Sequence, residues 1–76
     1  MEITQTDYNI LKAIQSGRVE SGTSPSHFVD YCDNVIGGDP RPLIAEGYID
    51  ADRFINGLTD KGNQAIADYE KEHNIS

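Results

Sequence analysis

The chain has 76 residues, 37% of them hydrophobic, and its 13 acidic residues outnumber 6 basic ones, giving a formal net charge of −7 at pH 7. A chain of this size buries only about 60% of its unfolded surface, which excludes a second domain and a deep enclosed active site. No apolar run reaches the ~20 residues that a membrane-spanning helix needs, and no secretory signal is visible. We therefore expect one cytoplasmic domain over residues 1–76 with no membrane association.

The first predicted helix covers about residues 5–16. Thr4 and Asp7 have the spacing of an N-terminal capping box, in which each residue's side chain bonds to the backbone of the other. Leu11 and Ile14 recur at the spacing of one helical face. The turn-forming residues that follow predict a loop before the next helix.

The second predicted helix covers about residues 25–35. Ser24 is a preferred capping residue, and Pro25 would occupy the first helical position, where its missing N–H costs nothing. The apolar stripe of this helix consists of Phe28, Cys32, Val35 and Ile36.

The third predicted helix is short, about residues 40–46. The glycine pair at 37–38 ends the preceding helix, and Asp39-Pro40 repeats the pattern of a cap followed by proline. Gly47 is placed to end this helix.

A hairpin and a last helix complete the predicted elements. The runs Tyr48-Ile49-Asp50 and Phe54-Ile55-Asn56 favour an antiparallel hairpin over about residues 48–56, with Phe54 packed in the core. Thr59 is predicted to cap a helix over about residues 59–71, and residues 70–76 are expected to fray.

The order of helix, helix, short helix, hairpin and helix resembles a winged helix-turn-helix domain. The segments LIAEGYI (43–49) and LTDKGNQAI (58–66) resemble the MarR and PadR-like transcriptional regulators, so that the resemblance covers about residues 39–69. It implies a mainly α fold with a small β-hairpin, made of three to four helices and a two-stranded antiparallel wing. It further implies a small, non-enzymatic, dimeric regulator that binds double-stranded DNA.

The same resemblance indicates where DNA would be contacted. In these regulators the third helix enters the major groove and the tip of the wing contacts the DNA backbone. The matching positions are Arg41, in the first turn of the short helix, and Arg53, at the predicted wing tip. Further phosphate contacts would come from Lys12, Arg18 and Lys61 if the fold brings them to the same face.

The local charge opposes this role. The short helix and hairpin contain two arginines against four acids, namely Asp39, Glu46, Asp50 and Asp52. The alternative to DNA contact is that Arg41 and Arg53 pair with Asp39, Asp50 or Asp52 on the surface, where such pairs contribute little stability. The alternative function is therefore that of an acidic protein-interaction module on the same scaffold, or of a DNA-mimicking inhibitor of the kind that phages and other mobile elements encode. Such a module would bind a basic protein partner.

The sequence predicts no catalytic, cofactor or metal site. Cys32 lies on an apolar stripe, where a free cysteine acts as a small buried hydrophobe. His27 is five positions before Cys32 and so lies on another face of the helix. Asp30 and Asp33 could share a face with His27, but a structural zinc site needs sets of Cys and His ligands. We therefore expect no enzyme.

Overall fold

The computed structural model describes residues 2–74, and within them it contains four α-helices, one π-helical turn and a two-stranded antiparallel sheet. The α-helices are α1 (Gln5–Gln15), α2 (Pro25–Tyr31), α3 (Arg41–Ala45) and α4 (Asp60–Glu72). The π-helical turn is Cys32–Ile36, and the strands are β1 (Ile49–Ala51) and β2 (Ile55–Leu58). The predicted mainly α fold with a small β-hairpin is confirmed.

The start of α1 is fixed by the predicted capping box. The Thr4 hydroxyl accepts a bond from the Asp7 backbone N–H, and the Asp7 carboxylate accepts one from the Thr4 N–H, both at 3.1 Å. Two of the N–H groups that a helix start leaves without a partner are thus satisfied reciprocally.

The second predicted helix is wrong in its last turn. The chain is α-helical only to Tyr31, and the next turn closes when the N–H of Gly37 donates a 2.7 Å bond to the carbonyl oxygen of Cys32, five residues earlier. A π-helical turn holds one residue more than an α-helical turn. Ile36 is half-buried as the apolar stripe predicts, whereas Val35, which the stripe also directs inward, is 65% exposed.

The loop between α1 and α2 joins the hairpin. The N–H of Gly22 donates to the carbonyl oxygen of Ile55 at 2.9 Å, and the N–H of Ile55 donates to that of Thr23 at 2.8 Å. The loop thereby adds two strand-like bonds to the free edge of β2. These bonds hold the hairpin against the helices.

The hairpin extends further along the second strand than predicted. Ile49 pairs with Leu58 and Ala51 pairs with Ile55, with an irregularity between Asp50 and Ala51. Phe54 lies outside the strand and is 52% exposed, so its predicted place in the core is wrong. Because successive side chains of an extended chain point to opposite sides, burying Ile55 turns Phe54 outward.

The last helix is capped as predicted but continues further. The Thr59 hydroxyl accepts a 3.0 Å bond from the N–H of Gly62. The predicted fraying from residue 70 is wrong for Glu70–Glu72, which are helical, because Glu70 bonds to side chains of α1. Ile75 and Ser76 lie outside the described residues.

The core is formed by all four α-helices, the π-helical turn, the hairpin and two residues outside these elements, Val19 and Tyr48. Its buried residues are Tyr8, Ile10, Leu11, Ala13, Val19, Phe28, Cys32, Leu43, Tyr48, Ile49, Ile55, Ile66 and Tyr69. Within residues 2–74 no charged side chain is buried. The helices of this part of the chain also include none long and apolar enough to cross a bilayer.

Candidate interaction surface

Arg41 opens α3, and its guanidinium is already paired. Its Nε donates to both carboxylate oxygens of Asp39, and its Nη2 donates to Oδ2 at 2.9 Å. The backbone N–H of Arg41 also bonds to Asp39, so the carboxylate takes the place of a helix cap. These bonds hold the pKa of the Asp39 carboxyl below its ordinary value. A DNA phosphate would therefore find the Nε edge of the guanidinium already occupied by the carboxylate.

Lys12 and Lys61 also have partners within the fold. The ammonium of Lys12 lies 3.0 Å from the carboxylate of Glu70. The ammonium of Lys61 donates a 2.7 Å bond to the carbonyl oxygen of Glu46 and lies 4.5 Å from the ring centroid of Tyr48. Lys61 therefore stabilises the end of α3, because a cation is attracted to the carbonyl groups that a helix end leaves without a partner. It also stabilises the residue before β1 through its contact with the Tyr48 ring.

Arg18 and Arg53 are the predicted contacts that remain unpaired, since neither forms an ion pair with any residue in the range 2–74. Both are exposed. Arg18 follows α1, and Arg53 lies in the turn between β1 and β2, as predicted for the tip of a wing.

The five cations do not share one hollow. Lys12 and Arg18 line a hollow between α1 and the π-helical turn, Arg41 lines a second, and Lys61 lines a third. Arg53 lines none of these three. No one of the three hollows therefore brings together more than two of the cations.

A hollow at the junction of α2, the π-helical turn and α3 is acidic. Its charged lining consists of Asp30, Asp33, Asp39 and Arg41, and we call it the acidic hollow. In the predicted helix-turn-helix, this is the turn between the two helices. The sequence places Asp30 and Asp33 on one helical face and among the acids spread along the chain, but it does not place Asp39 beside them.

Two glycines bring Asp39 to the acidic hollow. Gly37 reverses the chain with a φ of +85°, a conformation that glycine adopts without steric cost. Gly38 then lies so close to α1 that a Cβ at this position would overlap the side chain of Thr6. The glycine pair, together with the i, i+3 spacing of the two earlier aspartates, is the signal by which the sequence indicates this cluster.

Cys32 is fully buried, and burial, reinforced by the charge of Asp39, raises the pKa of its thiol to about 12. No three His, Cys, Asp or Glu side chains of residues 2–74 are grouped so as to hold a metal ion.

Comparison with models of known protein families, with curated proteins and with solved structures finds no match to this chain. The resemblance to MarR and PadR-like regulators therefore stays a prediction.

Proposed function

We propose that this chain is a small, non-enzymatic protein-binding module with winged-helix topology, whose acidic hollow binds a basic segment of a partner protein. The observation that carries the proposal is the charge of the hollow, which occupies the position where a DNA-binding domain needs cations. Asp30, Asp33 and Asp39 line it, and its one cation, Arg41, is paired with Asp39.

Electrostatics distinguishes the two kinds of partner. Proteins bind duplex DNA largely because lysines and arginines replace the counterions that surround the phosphates. The acidic hollow offers carboxylates instead, which repel phosphates. The same carboxylates attract a lysine- or arginine-rich segment and would raise the rate at which such a partner associates.

DNA binding is the second candidate, and the exposed position of Arg53 in the hairpin turn favours it. A wing-tip arginine is suited to contact the phosphate backbone or the minor groove. A regulator of this kind would need a dimer to enlarge its small cationic footprint.

NMR titrations of the ¹⁵N-labelled chain test the two candidates with defined probes. One probe is an arginine- and lysine-rich peptide, and the other is a random duplex of about 20 base pairs, both in about 50 mM salt. The peptide is expected to shift the amides around Asp30, Asp33 and Asp39, and to bind more weakly to Asp30→Asn/Asp33→Asn. The duplex is expected to shift no contiguous set of amides.

A matched double variant separates the hollow from the overall charge. Asp68→Asn/Glu72→Gln also removes two negative charges, but from the exposed face of α4. Its affinity for the peptide is expected to stay close to that of the parent. If both double variants lose affinity equally, the acidic hollow is not the site. If instead the duplex binds and Arg41→Ala/Arg53→Ala abolishes that binding, the chain is a DNA-binding protein and the protein-binding proposal is overturned.

A further inference from the structure

Val35 and Phe54 are the large hydrophobic residues that stay exposed within residues 2–74. The π-helical turn directs Val35 outward, and such turns are frequent at functional sites. Phe54 is directed outward by the burial of its neighbour Ile55. Both residues belong to segments in which the backbone departs from regular helix or strand.

Val35 lies in a hollow of about 510 Å³ between α1 and the π-helical turn, which we call the Val35 hollow. Its lining residues are Asn9, Lys12, Ala13, Ser16, Arg18, Tyr31, Val35 and Ile36. This lining combines apolar side chains with two cations and contains no acid, in a chain whose acids outnumber its bases two to one. Because Glu70 is paired with Lys12, the unpaired charge at the hollow is that of Arg18.

The hairpin turn has the opposite character. Phe54 stands beside Asp52, and Asp50 is exposed on the adjoining strand. The carboxylate of Asp52 accepts a 3.2 Å bond from the N–H of Phe54, which fixes the turn. Asp50 and Asp52 outnumber Arg53, so the hairpin turn around Phe54 has a net negative charge. Phe54 is not among the residues that line the Val35 hollow.

We propose that copies of this chain associate head to tail, with Phe54 of one copy inserted in the Val35 hollow of the next. The apolar ring then covers Val35, while Asp50 and Asp52 approach Arg18, the cation of the hollow that has no ion-pair partner, so that an apolar contact and opposite charges act together. The two surfaces are different and do not overlap, so the contact is heterologous and each copy keeps one free surface for the next.

This association uses no residue of the acidic hollow and is independent of the protein-binding role proposed above. A single side chain inserted in a hollow buries less than the roughly 1,200 Å² of a standard interface. We therefore expect weak, concentration-dependent assembly whose average mass exceeds that of a dimer at the highest concentrations.

Sedimentation equilibrium over about 0.05 to about 2 mM protein tests the proposal. The average mass of the parent is expected to rise with concentration. Phe54→Ser removes the inserted ring and Val35→Asp spoils the hollow, so each variant alone is expected to remain monomeric. An equimolar mixture is expected to form dimers and nothing larger, because the hairpin of Val35→Asp fits the intact hollow of Phe54→Ser.

Asn34→Asp is the matched control, since it adds the same charge at the neighbouring exposed position and leaves Val35 in place. It is expected to assemble as the parent does, and circular dichroism of each variant verifies that the helices remain. A parent mass that stays monomeric up to the highest concentration would overturn the proposal. Failure of the mixture to form dimers, or loss of assembly in Asn34→Asp, would overturn it as well.

Discussion

The phenol of Tyr8 in α1 donates a 2.7 Å hydrogen bond to the carboxylate of Glu70 in α4, 62 positions away in the sequence. Lys12 approaches the same carboxylate oxygen, and the Tyr8 ring stacks on that of Tyr69 with centroids 4.5 Å apart. The hydroxyl of Tyr69 in turn donates to Gln5 at 2.8 Å. These contacts fasten the first helix to the last one.

Removing the Tyr8 hydroxyl is expected to lower stability in a pH-dependent way. The hydrogen bond from Tyr8, and to a smaller extent that from Lys12, lowers the pKa of Glu70. The ionised Glu70 therefore stabilises the fold above the ordinary pKa of a glutamate, and this stabilisation is lost as the pH falls through the lowered pKa. The bond to Glu70, followed by burial, raises the pKa of Tyr8 from 10.0 to about 12, so its contribution is lost as the pH rises through that range.

Urea denaturation measures this effect. The midpoint of Tyr8→Phe is expected to fall furthest below that of the parent between about pH 5 and pH 10, with the gap closing on both sides. Glu72→Gln is the control, because Glu72 lies two positions after Glu70 on the exposed side of α4. This variant is expected to show no such pH profile. A constant gap across the whole pH range would mean that the bond is not responsible.

Gly62→Ala is expected to destabilise the chain, although alanine favours helices by ~1 kcal/mol over glycine. An added Cβ at Gly62 would overlap the backbone carbonyl oxygen of Tyr48, which directly precedes β1 and cannot give way as a side chain can. Overpacking of this kind costs about 1–3 kcal/mol. Thermal unfolding gives the measurement, with Asn63→Ala as the exposed control that should be neutral or slightly stabilising.

Thr59→Ala is expected to cost about 1 kcal/mol, the usual effect of losing an N-terminal cap. The Thr59 hydroxyl accepts the N–H of Gly62 and donates a 2.6 Å bond to the carbonyl oxygen of Gly47, so it joins α4 to the end of α3. Chemical denaturation should show that Thr59→Ser, which keeps the hydroxyl, is nearly as stable as the parent and more stable than Thr59→Ala. Equal losses in the two variants would assign the effect to the methyl group.

The thiol of Cys32 is expected to resist modification in the folded chain. It is fully buried, and its raised pKa leaves almost no thiolate at neutral pH. Reaction with Ellman's reagent should therefore be slow in the native protein and fast after denaturation, while Ser26→Cys on the exposed side of α2 should react at once. Immediate reaction of the native parent would contradict the burial of Cys32.

Local signals in the sequence were sufficient for the order of the elements and for the caps of α1, α2 and α4, whereas the N-cap of α3 is Pro40 and not the predicted Asp39. Thr4 and Thr59 cap the helices for which they were assigned, because capping depends on residues only three positions apart. The predicted positions of Val35 and Phe54 were wrong for two reasons. A helical period of 3.6 residues does not predict the wider π-helical turn that exposes Val35, and a strand pattern does not predict the bend before β2 that exposes Phe54. Glu70 was assigned to a frayed tail because its partners lie on a helix 58 and 62 positions away.

The candidate site was predictable only in part. The sequence located Arg41 and Arg53 at the start of the short helix and in the hairpin turn, where the structure also has them. It also offered pairing of Arg41 with Asp39 as the alternative to DNA contact, and the structure has this ion pair. The acidic hollow, by contrast, exists only once Gly37 has reversed the chain.

The π-helical turn decides which side chain of this segment meets water. In an unbroken α-helix Val35 would follow Phe28 by seven positions and Cys32 by three, and it would therefore lie on the same face as these two buried residues. The wider turn at Cys32–Ile36 rotates Val35 outward, where it is 65% exposed. The hydrogen-bond pattern of the backbone, and not the choice of residue, thus adds an apolar side chain to the surface.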